Sequence, residues 1–324
     1  MSPFRIKILV IILLGVFSVP VIFAEDFESN ITFTAVTYDD GSGRALKQPT
    51  WAFFDNKANE LYVTDVGNHR IIIFDKDLMF KYSFKHFVKD RHMDRRIEGE
   101  PKAVITNSYG DMIVIDNLAD YLDILDFRGD PLDKIYPNLL LNDSTLKVKP
   151  VSLCIDNNDN IYVIVVGDVT QIMVLDEDFN LKRTFGKKGG NEKDFNMPIA
   201  IATKDSLIWV TDIYAKPAVK VFDTLGNYIF GFGMHDVKRA DVSLPSAIVI
   251  TQDSVDNQLI WIVDALRQVI KVYNDKGEFL SFVGGFGHQL GEFQYPMGLT
   301  VTKDNVFYVV EKIGNRIQRF RLKK

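Results

Sequence analysis

Apolar residues in this chain are grouped into short runs of β-branched and aromatic side chains that recur with a regular period. Six prolines each open such a run, at intervals of 47 to 52 residues: Pro49, Pro101, Pro150, Pro198, Pro245 and Pro296. Polar turns such as residues 156–160 separate the first run from the second, and a third run follows in every unit. A fourth run closes the first five units, whereas a helical period is absent. Four β-rich runs per repeat predict the blade of a β-propeller.

The sixth unit stops at Lys324, directly after its third run. Near the other end of the chain, residues 31–37 are β-prone and are followed by the same glycine-rich approach to a proline that elsewhere follows a fourth run. We expect this segment to pair with the last unit, because pairing satisfies backbone groups that an open edge exposes. The predicted fold is an all-β, six-bladed β-propeller of four-stranded blades, closed by an N-terminal strand that completes the last blade.

The propeller order also assigns the loops to faces. With strands named a to d from the axis outward, the b–c and d–a loops share one face, which we call the top face. The a–b and c–d turns lie on the bottom face. Blades are expected to start near residues 48, 100, 149, 197, 244 and 295.

The first residues are typical of an export signal. Arg5 and Lys7 precede an apolar stretch that ends at Ala24, before the acidic Glu25. This order predicts a signal peptide over residues 1–24, and an uncleaved membrane anchor is the alternative, since the stretch is nearly long enough to span a bilayer. Both interpretations place a single propeller domain, residues 25–324, outside the cytoplasm, either secreted or tethered to a membrane.

The turns between the second and third runs carry a specific motif. Residues 63–75 closely resemble the signature of the NHL repeat, and residues 314–320 repeat it in the last unit. The glycine-rich linker at residues 284–296 resembles the family's connection into the next blade. The resemblance covers all six units and implies an NHL-type propeller. It is weakest in units two and three, where Tyr121 replaces the arginine and either Val165 or Val166 replaces the acid.

Composition excludes several classes of protein. The net charge of −5 and the pI near 5.6 argue against a uniformly basic nucleic-acid-binding surface, and no nucleic-acid partner is expected. Cys154 is the single cysteine, so neither an intrachain disulfide nor a cysteine-rich zinc module can form. Cys154 lies in an apolar run and is predicted to be a packed thiol.

An acidic residue ends the second run in five units: Asp65, Asp116, Asp212, Asp264 and Glu311. Recurrence favours a structural role, in which the carboxylate accepts backbone N–H groups of the b–c turn; a ring of metal ligands is the alternative. Arg70 and Arg316 follow the acid of their unit at the same sequence distance. They are predicted to stabilise the b–c turn rather than to bind a ligand.

The top face is the predicted binding face, because its loops differ most between units. The basic segment 85–96 is unlike every other d–a loop and is expected to be a solvated loop with a short helical turn. The ligand-binding candidates share basic or aromatic side chains in predicted top-face positions: Trp51, His69, Arg70, Arg91, Arg95, Arg96, Tyr121, Tyr214, Lys216, Arg267, Lys312 and Arg316. Basic side chains around the mouth of the channel on the top face would favour an anionic ligand or an acidic patch of a partner protein.

Two classes of function remain open. Peptide-amidating lyases are similar in fold and bind zinc through histidines just after the blade-opening proline, but the corresponding residues here are Thr50, Lys102, Val151, Ile199, Ser246 and Met297. Lactonase-type propellers bind calcium through acids and asparagines of the channel, and no unit has Glu or Asn at the start of strand a. His69, His235 and His288 are predicted to be solvated, with convergence on a metal as the alternative.

The leading prediction is therefore a non-enzymatic propeller that binds a protein, a glycan or a small ligand, without catalytic residues, metal or cofactor. A metal-dependent lyase or hydrolase, with zinc or calcium, is the alternative.

Overall fold

The apolar runs form strands, and the polar stretches between them form turns. The computed structural model describes residues 30–90, 93, 95–235, 238–253 and 257–322. These residues contain six four-stranded antiparallel sheets and one two-stranded sheet. The innermost strands of neighbouring sheets contact one another around a closed ring. The prediction of a six-bladed β-propeller is confirmed.

The strands follow the chain blade by blade. The closing strand is β1 (Ile31–Thr37). Blade one contains β2 (Pro49–Asp55), β3 (Glu60–Asp65), β4 (Arg70–Asp75) and β5 (Phe80–Lys85). The small sheet contains β6 (Phe87–Lys89) and β7 (Arg96–Glu98). Blade two contains β8 (Pro101–Thr106), β9 (Met112–Asp116), β10 (Leu122–Leu125) and β11 (Pro131–Ile135). A helical turn, Pro137–Leu140, precedes blade three.

Blade three contains β12 (Val148–Ile155), β13 (Ile161–Gly167), β14 (Gln171–Leu175) and β15 (Leu181–Phe185). Blade four contains β16 (Pro198–Lys204), β17 (Leu207–Asp212), β18 (Val219–Asp223) and β19 (Tyr228–Phe232). Blade five contains β20 (Pro245–Gln252), β21 (Gln258–Asp264), β22 (Val269–Asn274) and β23 (Phe279–Val283). Blade six contains β24 (Pro296–Val301), β25 (Val306–Glu311) and β26 (Arg316–Leu322), with β1 as its outer strand.

The ring closes where the two ends of the chain pair. β1 runs antiparallel to β26, with Phe33 opposite Phe320 and their ring centroids 5.1 Å apart. Side chains of β1 alternate between half-buried and exposed, as expected for an outer strand that covers a core with one face only. The predicted closing strand is thereby confirmed.

The core is divided into clusters between neighbouring blades. Each of six large clusters contains buried apolar residues from two successive blades, and together they cover all six blade interfaces. At the interface of blades five and six, Trp261 packs on Phe307 with ring centroids 4.5 Å apart. At the interface of blades six and one, Phe54 and Tyr308 stack at 5.6 Å. Because both faces of the b and c strands are covered by neighbouring blades, these strands have nearly continuous apolar sequences.

The connection between blades one and two differs from its prediction. The segment 85–96 was expected to be a solvated loop with a helical turn, but β6 and β7 pair as an antiparallel hairpin, with Val88 opposite Ile97. Val88 is buried against Tyr121 and Ala119 of blade two. The expected helical turn was wrong, because packing of Val88 on the b–c turn of blade two, rather than local propensity, orders this segment.

No helix in the described residues is long and apolar enough to cross a bilayer. The predicted signal peptide or anchor, residues 1–24, lies outside the described residues.

Candidate functional site

The acid of blade one lies inside the protein and holds two loops together. Asp65 is fully buried, and its carboxylate accepts the backbone N–H of Lys47 (2.7 Å) and the Nε–H of Arg70 (2.7 Å). The Arg70 guanidinium also donates to Asp40 (2.7 Å), which is buried as well. Burial alone would raise the pKa of Asp40, but hydrogen bonds from Ser42 and Arg70 outweigh burial and hold that pKa below its usual range.

Blade six repeats this arrangement with a longer acid. Arg316 donates to the carboxylate of Glu311 (2.7 Å) and to the backbone oxygens of His288 (2.6 Å) and Glu292 (2.7 Å). Glu311 in turn accepts the backbone N–H of Gln294 (2.6 Å). In blades one and six the backbone N–H groups bound by the acids come from the d–a connection, whereas Asp116 and Asp212 accept N–H groups of the b–c turn, as the sequence indicated.

Blades four and five use lysine in place of arginine, from a different position of strand c. Lys271, opposite Ile262 in blade five, lies 3.5 Å from the carboxylate of Asp264 and donates to the backbone oxygen of Arg239 (3.1 Å). Lys220 of blade four donates to the backbone oxygen of Pro217 (2.8 Å). Burial lowers the pKa of both lysines, although nearby carboxylates oppose the shift. The acids of blades one, five and six are thus each paired with a buried cation, and in blade four the charge of Asp212 raises the pKa of Lys220 against the effect of burial.

In blade two, the cation that pairs with the acid at the end of strand b comes from the connection that precedes the blade. Asp116 ends β9, and Asp123 occupies the strand-c position that holds the lysine in blade five. His86, from the connection after β5, lies between them: its Nδ1 is 2.8 Å from Asp116 and its Nε2 is 3.0 Å from Asp123. Both partners are carboxylates that only accept, so both ring nitrogens donate and the ring is an imidazolium. All three side chains are buried.

The pKa of His86 agrees with this protonation state. Burial alone would lower it, but the hydrogen bonds and charges of Asp116 and Asp123 outweigh burial and raise the pKa of His86 above its usual value. Sequence reasoning did not single out His86. The signal was available, because unit two keeps the acid, lacks the arginine and adds a second acid at Asp123.

Blade three has lost the acid and the cation together. The strand register places Val165 opposite Pro150, which is the position of the acid in the other blades. Met173 lies opposite Val163, the position that holds the lysine of blade five. Both side chains are buried. The paired loss follows from electrostatics, since either charge alone would be buried without a partner.

The predicted ligand-binding residues fall into three groups. Arg70, Tyr121 and Arg316 are buried, so their side chains are not part of a top-face rim. Trp51 donates its Nε1–H to the backbone oxygen of Val104 (2.9 Å) and lines the channel instead of the top face. The remaining described candidates are exposed or half-buried: His69, Arg95, Arg96, Tyr214, Lys216, Arg267 and Lys312. Arg91 lies outside the described residues.

An arc of exposed apolar side chains crosses the top face. Tyr214, Leu266 and Ile313 each stand two residues after the strand-b acid, in blades four, five and six respectively, and are 64%, 58% and 63% exposed. We call these three residues the apolar arc. Two more exposed residues, Phe286 and Leu290, lie in the neighbouring d–a connection between blades five and six. Sequence reasoning found Tyr214 but missed the equivalence of the three positions.

The central channel contains a cavity of about 250 Å³ lined by the inner strands of all six blades. Its walls include Phe53, Leu153, Ile250 and Leu299, with Cys154 among them. Burial raises the pKa of the Cys154 thiol. Zinc prefers nitrogen and thiolate ligands and calcium requires six to eight oxygens, and this lining offers neither set. Among the described residues, no group of three or more His, Cys, Asp or Glu side chains could hold a metal ion.

Comparison with known sequences gives little beyond the fold. No family model matches the chain. Protein brain tumor of Drosophila melanogaster is 27% identical over 132 residues, which are 40% of this chain. The match spans only 12% of that protein's length.

Solved structures are similar over most of the chain. An auxiliary nutrient binding protein from Bacteroides thetaiotaomicron matches with a TM-score of 0.62 and 13% identity, over 91% of this chain and 76% of that one. A gluconolactonase from Xanthomonas campestris matches with 0.59 and 10%, over 89% of each chain. Virginiamycin B lyase from Staphylococcus aureus matches with 0.53 and 14%, over 90% and 99%. Likeness at these identities shows a shared fold alone, so the chain stands as a six-bladed β-propeller similar in structure to a binding protein, a lactonase and a lyase.

Proposed function

We propose that this chain is an extracytoplasmic recognition propeller of the NHL type, which binds a protein, glycan or small ligand through its top face and performs no catalysis. The extracytoplasmic location rests on the N-terminal sequence. The NHL assignment rests on the motifs at residues 63–75 and 314–320.

The apolar arc is the observation that carries this proposal. Its side chains are large, exposed and placed at one loop position in three consecutive blades. The blade structure does not require a large apolar side chain at this position, because the equivalent residue of blade one is Gly67. Large apolar side chains left in water are unfavourable, and their repetition at one loop position of one face favours an interaction site there.

Charges beside the apolar arc indicate the character of the partner. The same three loops carry Lys216, Arg267 and Lys312, and the acids at their bases are buried. The outer part of these loops is therefore basic on a protein of net charge −5. This combination favours a partner surface that presents apolar groups flanked by acidic ones. The structural likeness to a nutrient binding protein also supports a binding function.

A metal-dependent lyase or hydrolase is the alternative, and the likeness to a gluconolactonase and a lyase favours it. The apolar lining of the channel opposes it. Metal analysis of the purified protein separates the two. Stoichiometric zinc or calcium would support the enzyme, and so would hydrolysis or elimination on a lactone substrate.

The binding proposal is tested by removing the apolar arc. In the triple variant Tyr214→Ser, Leu266→Ser, Ile313→Ser we expect unchanged folding and loss of the partners that the wild-type protein captures from an extracytoplasmic extract. The matched control is Phe127→Ser, Leu225→Ser, which removes two equally exposed apolar residues (65% and 71%) from bottom-face c–d turns. If capture survives in the triple variant and is lost in the control, the partner binds the bottom face and the proposal of a top-face site is wrong.

A further inference from the structure

Blade two departs from the other blades at several positions that lie together in space. Tyr121 stands where the NHL signature has arginine, and its ring lies 4.0 Å from the ammonium of Lys134 in β11. Its hydroxyl accepts the backbone N–H of Lys89 in β6 (3.4 Å). Tyr121 thus joins the hairpin β6–β7 to the outer strand of blade two.

A cavity of about 390 Å³ lies between the hairpin and blade two. Small-molecule sites have volumes of roughly 300–1,000 Å³, so this cavity is large enough for a small organic ligand. It is separate from the central channel and shares no lining residue with it. His86 lies at its wall, held between two carboxylates.

The lining of this cavity is strongly basic. Five cationic side chains line it, against the single carboxylate of Asp123: Lys85, Lys89, Arg95, Arg96 and Lys134. Glu98 and Asp90 pair with two of these cations from outside the lining. Even with both of these acids included, the described cations of this wall outnumber the described carboxylates.

The carboxylate of Asp123 does not repel an incoming anion strongly. One of its oxygens accepts from His86 and the other lies 3.2 Å from the ammonium of Lys134. A lysine ammonium has three donors, so Lys134 keeps donors for a further acceptor. Arg96 is exposed, with its guanidinium 5.2 Å from the ring of Phe87. It presents a planar donor group next to an apolar surface.

The rest of the lining is apolar and includes Phe87, Leu125 and Pro131. From the basic and apolar walls we infer that this cavity binds a small organic anion, with a phosphate or carboxylate group held by Arg96 and Lys134 and an apolar body against Phe87 and Leu125. This site is distinct from the top-face interaction proposed above and does not depend on it.

The inference is tested by titrating the full chain with phenyl phosphate in a calorimeter, with benzyl alcohol as the neutral analogue. Phenyl phosphate should bind, benzyl alcohol should not, and added salt should weaken binding because exposed charges are screened. Arg96→Gln and Lys134→Gln should each weaken binding about tenfold or more, as expected for loss of a charged hydrogen bond. Arg96 is exposed, so its variant should fold normally even if the lysine variant does not.

Arg128→Gln is the matched control, because Arg128 is exposed and lies 5.1 Å from the ring of Phe127, outside the cavity. It should bind phenyl phosphate as the wild type does. Absence of binding at millimolar concentrations would overturn the inference, as would equal affinities in Arg96→Gln and Arg128→Gln. The triple variant of the apolar arc should keep phenyl phosphate binding, so failure of this inference is distinguishable from failure of the proposed function.

Discussion

Replacing His86 with leucine removes the cation that holds two buried carboxylates together. Asp116 and Asp123 are 1% and 2% exposed, and His86 donates to both. In the variant, Asp116 keeps the backbone N–H of Leu118 (2.8 Å), and Asp123 keeps Lys134 (3.2 Å). Neither remaining contact replaces a buried charge lying between the two acids.

The expected cost follows from this geometry. Removing one partner of a buried ion pair typically costs about 3–5 kcal/mol, because the remaining charge is left desolvated. Two charge-assisted hydrogen bonds, at about 1.5–3 kcal/mol each, give a similar figure. At roughly 2 °C per kcal/mol for a large domain, His86→Leu should lower the melting temperature by about 6–10 °C.

The pH dependence has a definite sign. The folded pKa of His86 is raised above its unfolded value of 6.5, mainly by Asp116 and Asp123 acting against burial. Stability from the imidazolium is therefore fully present below about pH 6.5 and is lost as the pH rises through the folded pKa. The difference in free energy of unfolding between wild type and His86→Leu should shrink over that window.

Urea denaturation at several pH values measures both effects. His69→Asn is the control, since His69 is half-buried, its Nδ1 lies 2.7 Å from the backbone oxygen of Gly99, and asparagine tolerates its left-handed backbone (φ 58°); it should cost about 1 kcal/mol. Combining His86→Leu with Asp123→Asn should cost less than the sum of the single changes, because the residues are coupled. A loss below about 1 kcal/mol in His86→Leu, or a difference that does not change with pH, would refute the assignment of a buried imidazolium.

Three further predictions concern other parts of the molecule. Burial, with the charge of Lys149, lowers the pKa of Lys102 to about 8. Lys102→Met should therefore raise the melting temperature at neutral pH, and the gain should fade between about pH 8 and pH 10.5, where Lys102 of the folded wild type is neutral but that of the unfolded chain is still charged. Phe33→Ala in the closing strand should cost about 2 kcal/mol in thermal or urea unfolding, because the half-buried ring packs on Phe320, whereas the exposed Thr32→Ala should change stability by less than about 0.5 kcal/mol. Exported protein should begin at Glu25 by N-terminal sequencing, and retention of residues 1–24 would show the tethered form instead.

The repeat and the closing strand could be predicted because their signals are local. Each blade opens with a proline before an apolar run, and both faces of its central strands are buried, so the runs stand out from the polar turns. β1 shows the alternation of a strand with one covered face. The hairpin β6–β7 gave no such signal, because its strands are three residues long and are ordered by packing on Tyr121.

The strand-end acids were found by their recurrence, but most of their partners were not. Arg70 and Arg316 follow the acid at a fixed offset and lie in the two segments that resemble the NHL signature. Lys271 comes from a different position of strand c, and His86 comes from another blade connection. A unit that keeps the acid and lacks the arginine must obtain a cation elsewhere, and this rule would have directed attention to blade two.

The sequence by itself determined the number of blades, the order of their strands and the closure by β1, since all three follow from the period and polarity of short segments. Apart from Arg70 and Arg316, which their fixed offset from the acid marked, only the tertiary structure decided which cations are buried partners and which remain on the surface. A charge responds to distance in space: His86 meets Asp116 across 30 residues of chain, and Arg70 meets Asp40 across the same separation. His86 and Arg96 belong to the same connection between blades, and only folding buries His86 between two carboxylates and leaves Arg96 exposed beside a cavity.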